Sequence, residues 1–147
     1  AKGALIMPIR SVRSVVSGQS PLTAAGTATV FEAATAMKQQ GKGAMLVLEG
    51  TRLIGIVTER DIVFRVVALG RNARDTRLAE VMTPQPQTIH PDKPFVHALR
   101  MMHEGGFRHL PVIEDERPLG VLSARDALDD DFYELRAELA HRGDEQD

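Results

Sequence analysis

Cysteine and tryptophan are absent from the 147 residues, and aromatic residues make up only 4%. Without cysteine, disulfides, thiolate metal sites and cysteine nucleophiles are excluded together, and the interior must hold by packing alone. Few aromatic rings are available to stack on single-stranded bases. Charge of one sign is lacking too: Lys plus Arg is 18 and Asp plus Glu is 20, a formal net charge of −2. Non-specific nucleic-acid and anionic-membrane binders usually carry a basic excess, so neither partner is expected. No apolar run approaches the roughly 18 residues of a spanning helix. The start, Ala1 to Pro8, lacks the layout of a secretory signal. A cytoplasmic location is therefore expected, and Ala1 to Ile6 are assigned no role.

Catalytic signatures are missing as well. There is no Gly-x-Ser-x-Gly, no Gly-x-x-x-x-Gly-Lys-Ser/Thr loop and no evident acid–base pair of carboxylates, so an enzyme is not expected. His90, His97, His103 and His109 never fall at i, i+4, and no His-Glu-x-x-His pattern completes them, so no metal site is expected. What is present is ordinary for a folded protein: 43% apolar and 26% charged residues. A chain of about 150 residues buries about 68 to 70% of its unfolded surface, enough for a real core.

The distinctive feature is an internal repeat. Gly55-Ile56-Val57-Thr58-Glu59-Arg60-Asp61 recurs as Gly120-Val121-Leu122-Ser123-Ala124-Arg125-Asp126, an offset of 65 residues. The same offset holds without a gap upstream, pairing Val16 with Val81, Pro21 with Pro86, Ala33 with Ala98, Met37 with Met102, Gly41 with Gly106 and Val47 with Val112. In the first copy Thr27 can cap a helix whose stripe is Val30, Ala33, Ala34 and Met37, stopped by Gly41. In the second, Asp92 takes the cap position, Phe95, Ala98, Leu99 and Met102 form the stripe, and Gly105-Gly106 ends it. Two apolar runs about a polar turn follow each helix and read as hairpins: Ala44 to Leu48 with Leu53 to Val57, and Leu110 to Ile113 with Leu119 to Leu122. A second helix follows each hairpin, from about Glu59 to Leu69 and from about Ala124 onward. The predicted organisation is a first repeat at 9–70, a linker at 71–77, a second repeat at 78–133, and a C-terminal helix and tail at 134–147. A tail helix over Asp131 to His141 has Phe132, Leu135 and Leu139 at helical spacing. Each half, about 55 residues, would be marginal alone, and pseudo-twofold packing would bury the sheets of both.

The repeated Gly-apolar-apolar-Thr/Ser-x-Arg-Asp pattern admits two readings. A hydroxyl followed three residues later by an acid, at a strand-to-helix junction, is close to a capping box, and the Gly fits a close backbone approach within a strand. The same geometry suits a nucleotide: free N–H groups at a helix start attract phosphate, the hydroxyl adds a donor, and an acid one turn in can accept ribose hydroxyls. Arg60 and Arg125 could reach phosphates from the first turn or simply be solvated helix surface.

With these residues in order and doubled, the chain resembles a tandem CBS domain pair, the family named for cystathionine beta-synthase, over about Ile9 to Tyr133. Val81-Met82-Thr83-Pro84 and Arg108-His109-Leu110-Pro111-Val112 carry the resemblance alongside the two motif copies. It implies an α/β (α+β) fold of two pseudo-twofold-related β-α-β-β-α repeats packed through their sheets. It also implies an adenosine-containing ligand in the cleft between them. On this resemblance Asp61 and Asp126 hold ribose, and Thr58 and Ser123 contact ribose or phosphate. Arg108 and His109 meet phosphates, and Ser17, Ala44, Met45, Thr83, Leu110 and Pro111 line the adenine pocket. The first repeat has Gly43 and Ala44 where the second has Arg108 and His109, so one cleft is expected to be basic and its twin neutral. The expected function is a regulatory module that senses AMP, ADP or ATP and modulates a partner protein. The expected assembly is a homodimer with no required cofactor. Competing expectations are a dimerisation module with vestigial sites, or a sensor of S-adenosylmethionine or NAD.

Overall fold

A computed structural model describes residues 10–128, 138–140 and 142. The chain runs α1 (Val12–Val16), β1 (Thr23–Ala25), α2 (Val30–Gln40), β2 (Ala44–Glu49), β3 (Arg52–Thr58) and α3 (Glu59–Ile62), which continues as a π-helical turn over Val63–Val67. Then come α4 (Leu78–Val81), β4 (Thr83–Pro84), α5 (Phe95–Gly105), β5 (His109–Glu114), β6 (Arg117–Ser123) and a 3-10 turn over Ala124–Ala127. The mixed α/β architecture of two repeats is the one expected. Among the described residues no helix is long and apolar enough to cross a membrane.

Strands alternate their side chains, and this sorts the apolar residues into three layers. Met45, Val47 and Val57 face α2 and bury with Val30, Ala33 and Met37. Leu110, Val112 and Leu122 face α5 and bury with Phe95, Ala98 and Met102. The opposite faces, Ala44, Leu46 and Ile56 with Val121, meet between the two hairpins. The first sheet has the order β1-β2-β3-β4, with β1 parallel to β2 and the other pairs antiparallel. The second is the β5-β6 hairpin, with Ile89 making a single parallel bridge to Val112 where the first repeat has β1.

The leading helix of each repeat belongs to the opposite core. Val12 and Val16 of α1 bury with the second hairpin and α5, whereas Leu78 and Val81 of α4 bury with the first hairpin and α2. Removing a Val or Leu side chain from water is worth roughly 1.5–3 kcal/mol, so each exchange is a substantial fraction of net stability. The motif glycines admit the exchange. A Cβ on Gly120 would lie 2.9 Å from the Val16 Cβ and 2.8 Å from the Gln19 Oε1. On Gly55 it would collide with the Met82 side chain and lie 3.1 Å from the Thr83 carbonyl oxygen. Arg13 ties α1 further to the second half, its Nη2 lying 3.0 Å from Asp92 Oδ1 and 2.5 Å from Glu114 Oε2.

Three local expectations need correction. The cap of α2 is Thr29, whose hydroxyl accepts from the Glu32 N–H at 3.1 Å, and not Thr27, whose carbonyl accepts from the Arg77 guanidinium. Helix α5 starts after Pro94 without a side-chain cap: Asp92 stands two residues before that cap position and pairs with Arg13, and the Phe95 N–H donates to the Arg10 carbonyl at 2.7 Å. The helix expected over Glu59 to Leu69 is α-helical only over Glu59–Ile62 and then widens into a π turn over Val63–Val67, with the Ala68 N–H donating to the Val63 carbonyl at 2.8 Å. The tail helix expected over Asp131 to His141 lies outside the described residues except for 138–140, which are helical.

Gly120→Ala should destabilise the fold by about 1–3 kcal/mol, the usual cost of overpacking, since the side chain it meets sits on a rigid β-branched residue. A urea titration would show a lower midpoint at an unchanged slope; an unchanged midpoint would mean that α1 is not pressed against β6.

Candidate functional site

Each motif copy stands where a hairpin strand turns into a helix. Thr58 has extended backbone and caps α3: its hydroxyl accepts from the Asp61 N–H at 3.3 Å, and its own N–H donates to Asp61 Oδ2 at 2.9 Å. Ser123 repeats the arrangement at the 3-10 turn, its N–H donating to Asp126 Oδ2 at 2.7 Å and its hydroxyl accepting from the Arg125 N–H at 3.2 Å. The capping reading of the motif is therefore realised in both copies. It does not use up the acid, because a carboxylate offers two oxygens and about four acceptor positions, while the cap occupies one oxygen. Asp61 is only 8% exposed, and its other oxygen, Oδ1, lies 3.7 Å from Arg65 Nε.

Two open clefts flank these turns. One, of about 800 Å³, is lined by Thr58, Arg60 and Asp61 of the first motif together with Arg65, Thr83, Gln85 to Gln87 and Phe107. The other, of about 710 Å³, is lined by Ser123, Arg125 and Asp126 of the second motif together with Gln19, Pro21, Lys42, Ala44 and Leu128. Glu59, Arg108 and His109 line both. Each cleft thus draws its walls from both repeats.

The shared residues overturn the expected contrast between a basic cleft and a neutral twin. The motif twins of Arg108 and His109 are Gly43 and Ala44, and the twin of Glu59 is Ala124. These positions adjoin across the pseudo-twofold relation: a Cβ on Gly43 would lie 2.9 Å from Glu59 Oε1 and 3.3 Å from His109 Cε1. The side chains missing from one copy leave room for those of the other, which then face both clefts. Counting the lining residues, the first cleft has Arg60, Arg65 and Arg108 against Glu59 and Asp61, and the second has Lys42, Arg108 and Arg125 against Glu59 and Asp126. Each cleft thus carries the same excess of one positive charge.

Other expected residues divide. Thr83 lines the first cleft and Ala44 the second. Met45 and Leu110 do not present their side chains to either: strand alternation turns them toward the helices, where they are 3% and 0% exposed. Pro111 is buried on β5 and Ser17 is exposed, and both lie outside the two linings. In place of Ser17, Gln19 and Pro21 form that side of the second cleft. Among residues the sequence reading passed over, Arg65 had a signal in its i, i+4 spacing from Asp61. Glu59 had one in being the motif position where the two copies differ in charge.

His109 is half buried, and this desolvation pushes its imidazolium pKa below the ordinary value, although the Glu59 and Asp126 carboxylates oppose the shift. Elsewhere, His90, Asp92 and Glu114 place one potential ligand atom each within 4.8 Å of one another. Helical spacing rules missed this set because Glu114 arrives from the hairpin. A cation already holds it: the Arg13 guanidinium bridges both carboxylates and holds the Glu114 carboxyl below its usual range.

Comparison with known proteins gives the family. The CBS domain family model matches residues 12–68 and 78–131. A mitochondrial CBS domain-containing protein of Arabidopsis thaliana, CBSX3, is 33% identical over 116 residues, covering 76% of this chain and 56% of the relative. A second Arabidopsis relative, CBSCBSPB1, is 34% identical over 110 residues, which are 74% of this chain and 20% of that protein. The chain therefore spans about half of one relative and a fifth of the other. Among solved structures, a CBS domain protein from Pyrobaculum aerophilum complexed with AMP is 25% identical with a TM-score of 0.72, covering 79% of this chain and 88% of that one. The CBS domain pair of protein MJ0100, in complex with 5′-methylthioadenosine and S-adenosyl-L-methionine, is 28% identical with a TM-score of 0.72, covering 82% and 94%.

Two measurements check the site as described. Loss of the cap acid in Asp61→Ala should cost about 1 kcal/mol in denaturant unfolding, the usual value of a capping interaction. In an NMR titration His109 should titrate below the ordinary histidine value of about 6.5. Its folded pKa being depressed, this group contributes stability above the unfolded value that is lost as pH falls through the folded one. A midpoint at or above 6.5 would mean that Glu59 outweighs burial.

Proposed function

Because this chain belongs to the CBS-domain family, carrying two such domains in tandem, we propose that it is a regulatory module that binds an adenine nucleotide between its repeats and modulates a partner protein. The observation that carries this reading is the recurrence, in both clefts, of hydroxyl, helix start, carboxylate and basic side chains on walls drawn from both halves. The helix start and the Arg side chains suit phosphate, and the remaining carboxylate oxygen of Asp61 suits the ribose hydroxyls. Clefts of 710 to 800 Å³ fall within the usual range for ligands of nucleotide size. Ser123 and Asp126 take the same roles in the second cleft.

Regulation follows from where the walls come from. A ligand touching both repeats favours the arrangement in which they are closed on it, and it shifts the population only by its differential affinity for the two arrangements. That change must reach a partner through an exposed surface. The π turn after α3 and the turn that follows it present one: Val63, Phe64, Val67 and Leu69 are 50%, 59%, 68% and 69% exposed. Scattered apolar residues are ordinary on a surface, but four so close together in the chain make a patch suited to self-association, here a homodimer.

A thermal-shift panel of AMP, ADP, ATP, NAD and S-adenosylmethionine tests the ligand. At about 100 times its dissociation constant, the true ligand stabilises by about 2.7 kcal/mol, a rise in Tm of very roughly 5 to 10 °C. A response to S-adenosylmethionine but to no nucleotide would replace the phosphate reading, and silence across the panel would leave the motif acids as caps in a structural module. For the assembly, sedimentation of the wild type should give twice the chain mass and Phe64→Glu the monomer. Equal masses would remove this helix from the interface.

A further inference from the structure

Resting on the nucleotide reading above, we propose that the two clefts compete for one shared cation, Arg108, so that a phosphorylated adenosine ligand in one cleft weakens binding in the other by about tenfold. Twofold repetition would ordinarily give each cleft its own copy of every phosphate-binding residue. Here the twin of Arg108 is Gly43, which has no side chain, and Arg108 lines both clefts.

Three of the other lining cations are already engaged. Arg65 donates to the carbonyls of Val81 and Met82, both at 3.1 Å, and pairs with Asp61. Lys42 donates to the Ser20 carbonyl at 2.6 Å. Arg60 lies over the Phe64 ring, 5.4 Å from its centroid. The Arg108 guanidinium makes no hydrogen bond or ion pair among the described residues, so it is available to a phosphate. One guanidinium can face only one of the two.

The rest of the shared wall sharpens the competition. Glu59, on the same wall, adds a negative charge that Arg108 offsets while it is uncommitted. Once the first phosphate engages Arg108, the second ligand meets Glu59 and the first phosphate together. It retains Arg125 in the second cleft or Arg60 in the first, which is why the effect is a weakening and not an exclusion. Tenfold lies within the usual 5- to 150-fold range of coupling between sites.

Calorimetry with AMP on the full chain tests this. Gln87→Trp fills the first cleft and Leu128→Trp the second, and each isolates the affinity of the cleft left open. The weaker of the two wild-type steps should be about tenfold weaker than the weaker of the two isolated clefts. Arg108→Gln should weaken the first step about tenfold and leave the second within twofold. A wild type that takes up one AMP per chain, while both tryptophan variants still bind one, is the same competition in stronger form. The proposal is overturned if the isolated affinities reproduce the two wild-type steps, if Arg108→Gln weakens both steps equally, or if one tryptophan variant that folds binds nothing. Arg108 is exposed, so its variant carries the test where a tryptophan variant fails to fold. Absence of AMP binding in every protein, wild type included, would instead bring down the nucleotide reading and this inference with it.

Discussion

The close approach of each motif glycine to the leading segment of the opposite repeat is the contact on which the rest of the molecule depends. Gly55 lies against Met82 and Thr83, and Gly120 against Val16 and Gln19. Through these contacts α4 completes the core behind the first sheet and α1 completes the core behind the second. A repeat of about 55 residues buries too little surface to fold securely alone, and the exchange turns two marginal units into one cooperative structure. It also brings Thr83 and Gln19, from the segments that follow those helices, to the rims of the two clefts. Closing the cores and building the site are one event.

The capping boxes show how one side chain can hold a helix start and still present an acceptor oxygen beside a cleft. Asp61 and Asp126 each give an oxygen to the N–H of the residue that caps their own helix. This fixes the carboxylate within hydrogen-bond precision at the mouth of a cleft, and a binding group held by its supporting shell binds better than one that must be ordered on contact. Cap and ligand group need not be rivals. The cost of the arrangement is that a substitution meant to remove ligand binding also removes part of the helix start, so affinity and stability must be measured on the same variant.

Much of this was legible in the sequence because repetition doubles every signal. The 65-residue register located both hairpins, both helix stops at Gly41 and Gly106, and both motif junctions. What escaped was set by contacts between distant segments. Asp92 has the chemistry of a cap, but α5 begins two residues too late for it, after Pro94, where the Phe95 N–H finds the Arg10 carbonyl, and Asp92 pairs with Arg13, far away in sequence. Met45 and Leu110 stand beside cleft-lining neighbours in the chain, yet strand alternation buries them against α2 and α5. A one-residue difference in position decides between core and cleft, and a motif read as a continuous string does not carry that alternation.

The charge distribution was the most instructive miss. Comparing the repeats residue by residue assigns Arg108 and His109 to one cleft, as if each half owned its site. In a pseudo-symmetric pair, positions near the twofold relation meet their own twins, and a side chain there belongs to neither half. Sequence differences at such positions therefore do not make one site unlike the other; they decide what the two sites must share. Glu59 opposite Ala124, and Arg108-His109 opposite Gly43-Ala44, are the places where this chain breaks its own repetition. All fall on or beside the common wall, where one set of side chains faces both clefts and leaves each with the same net charge.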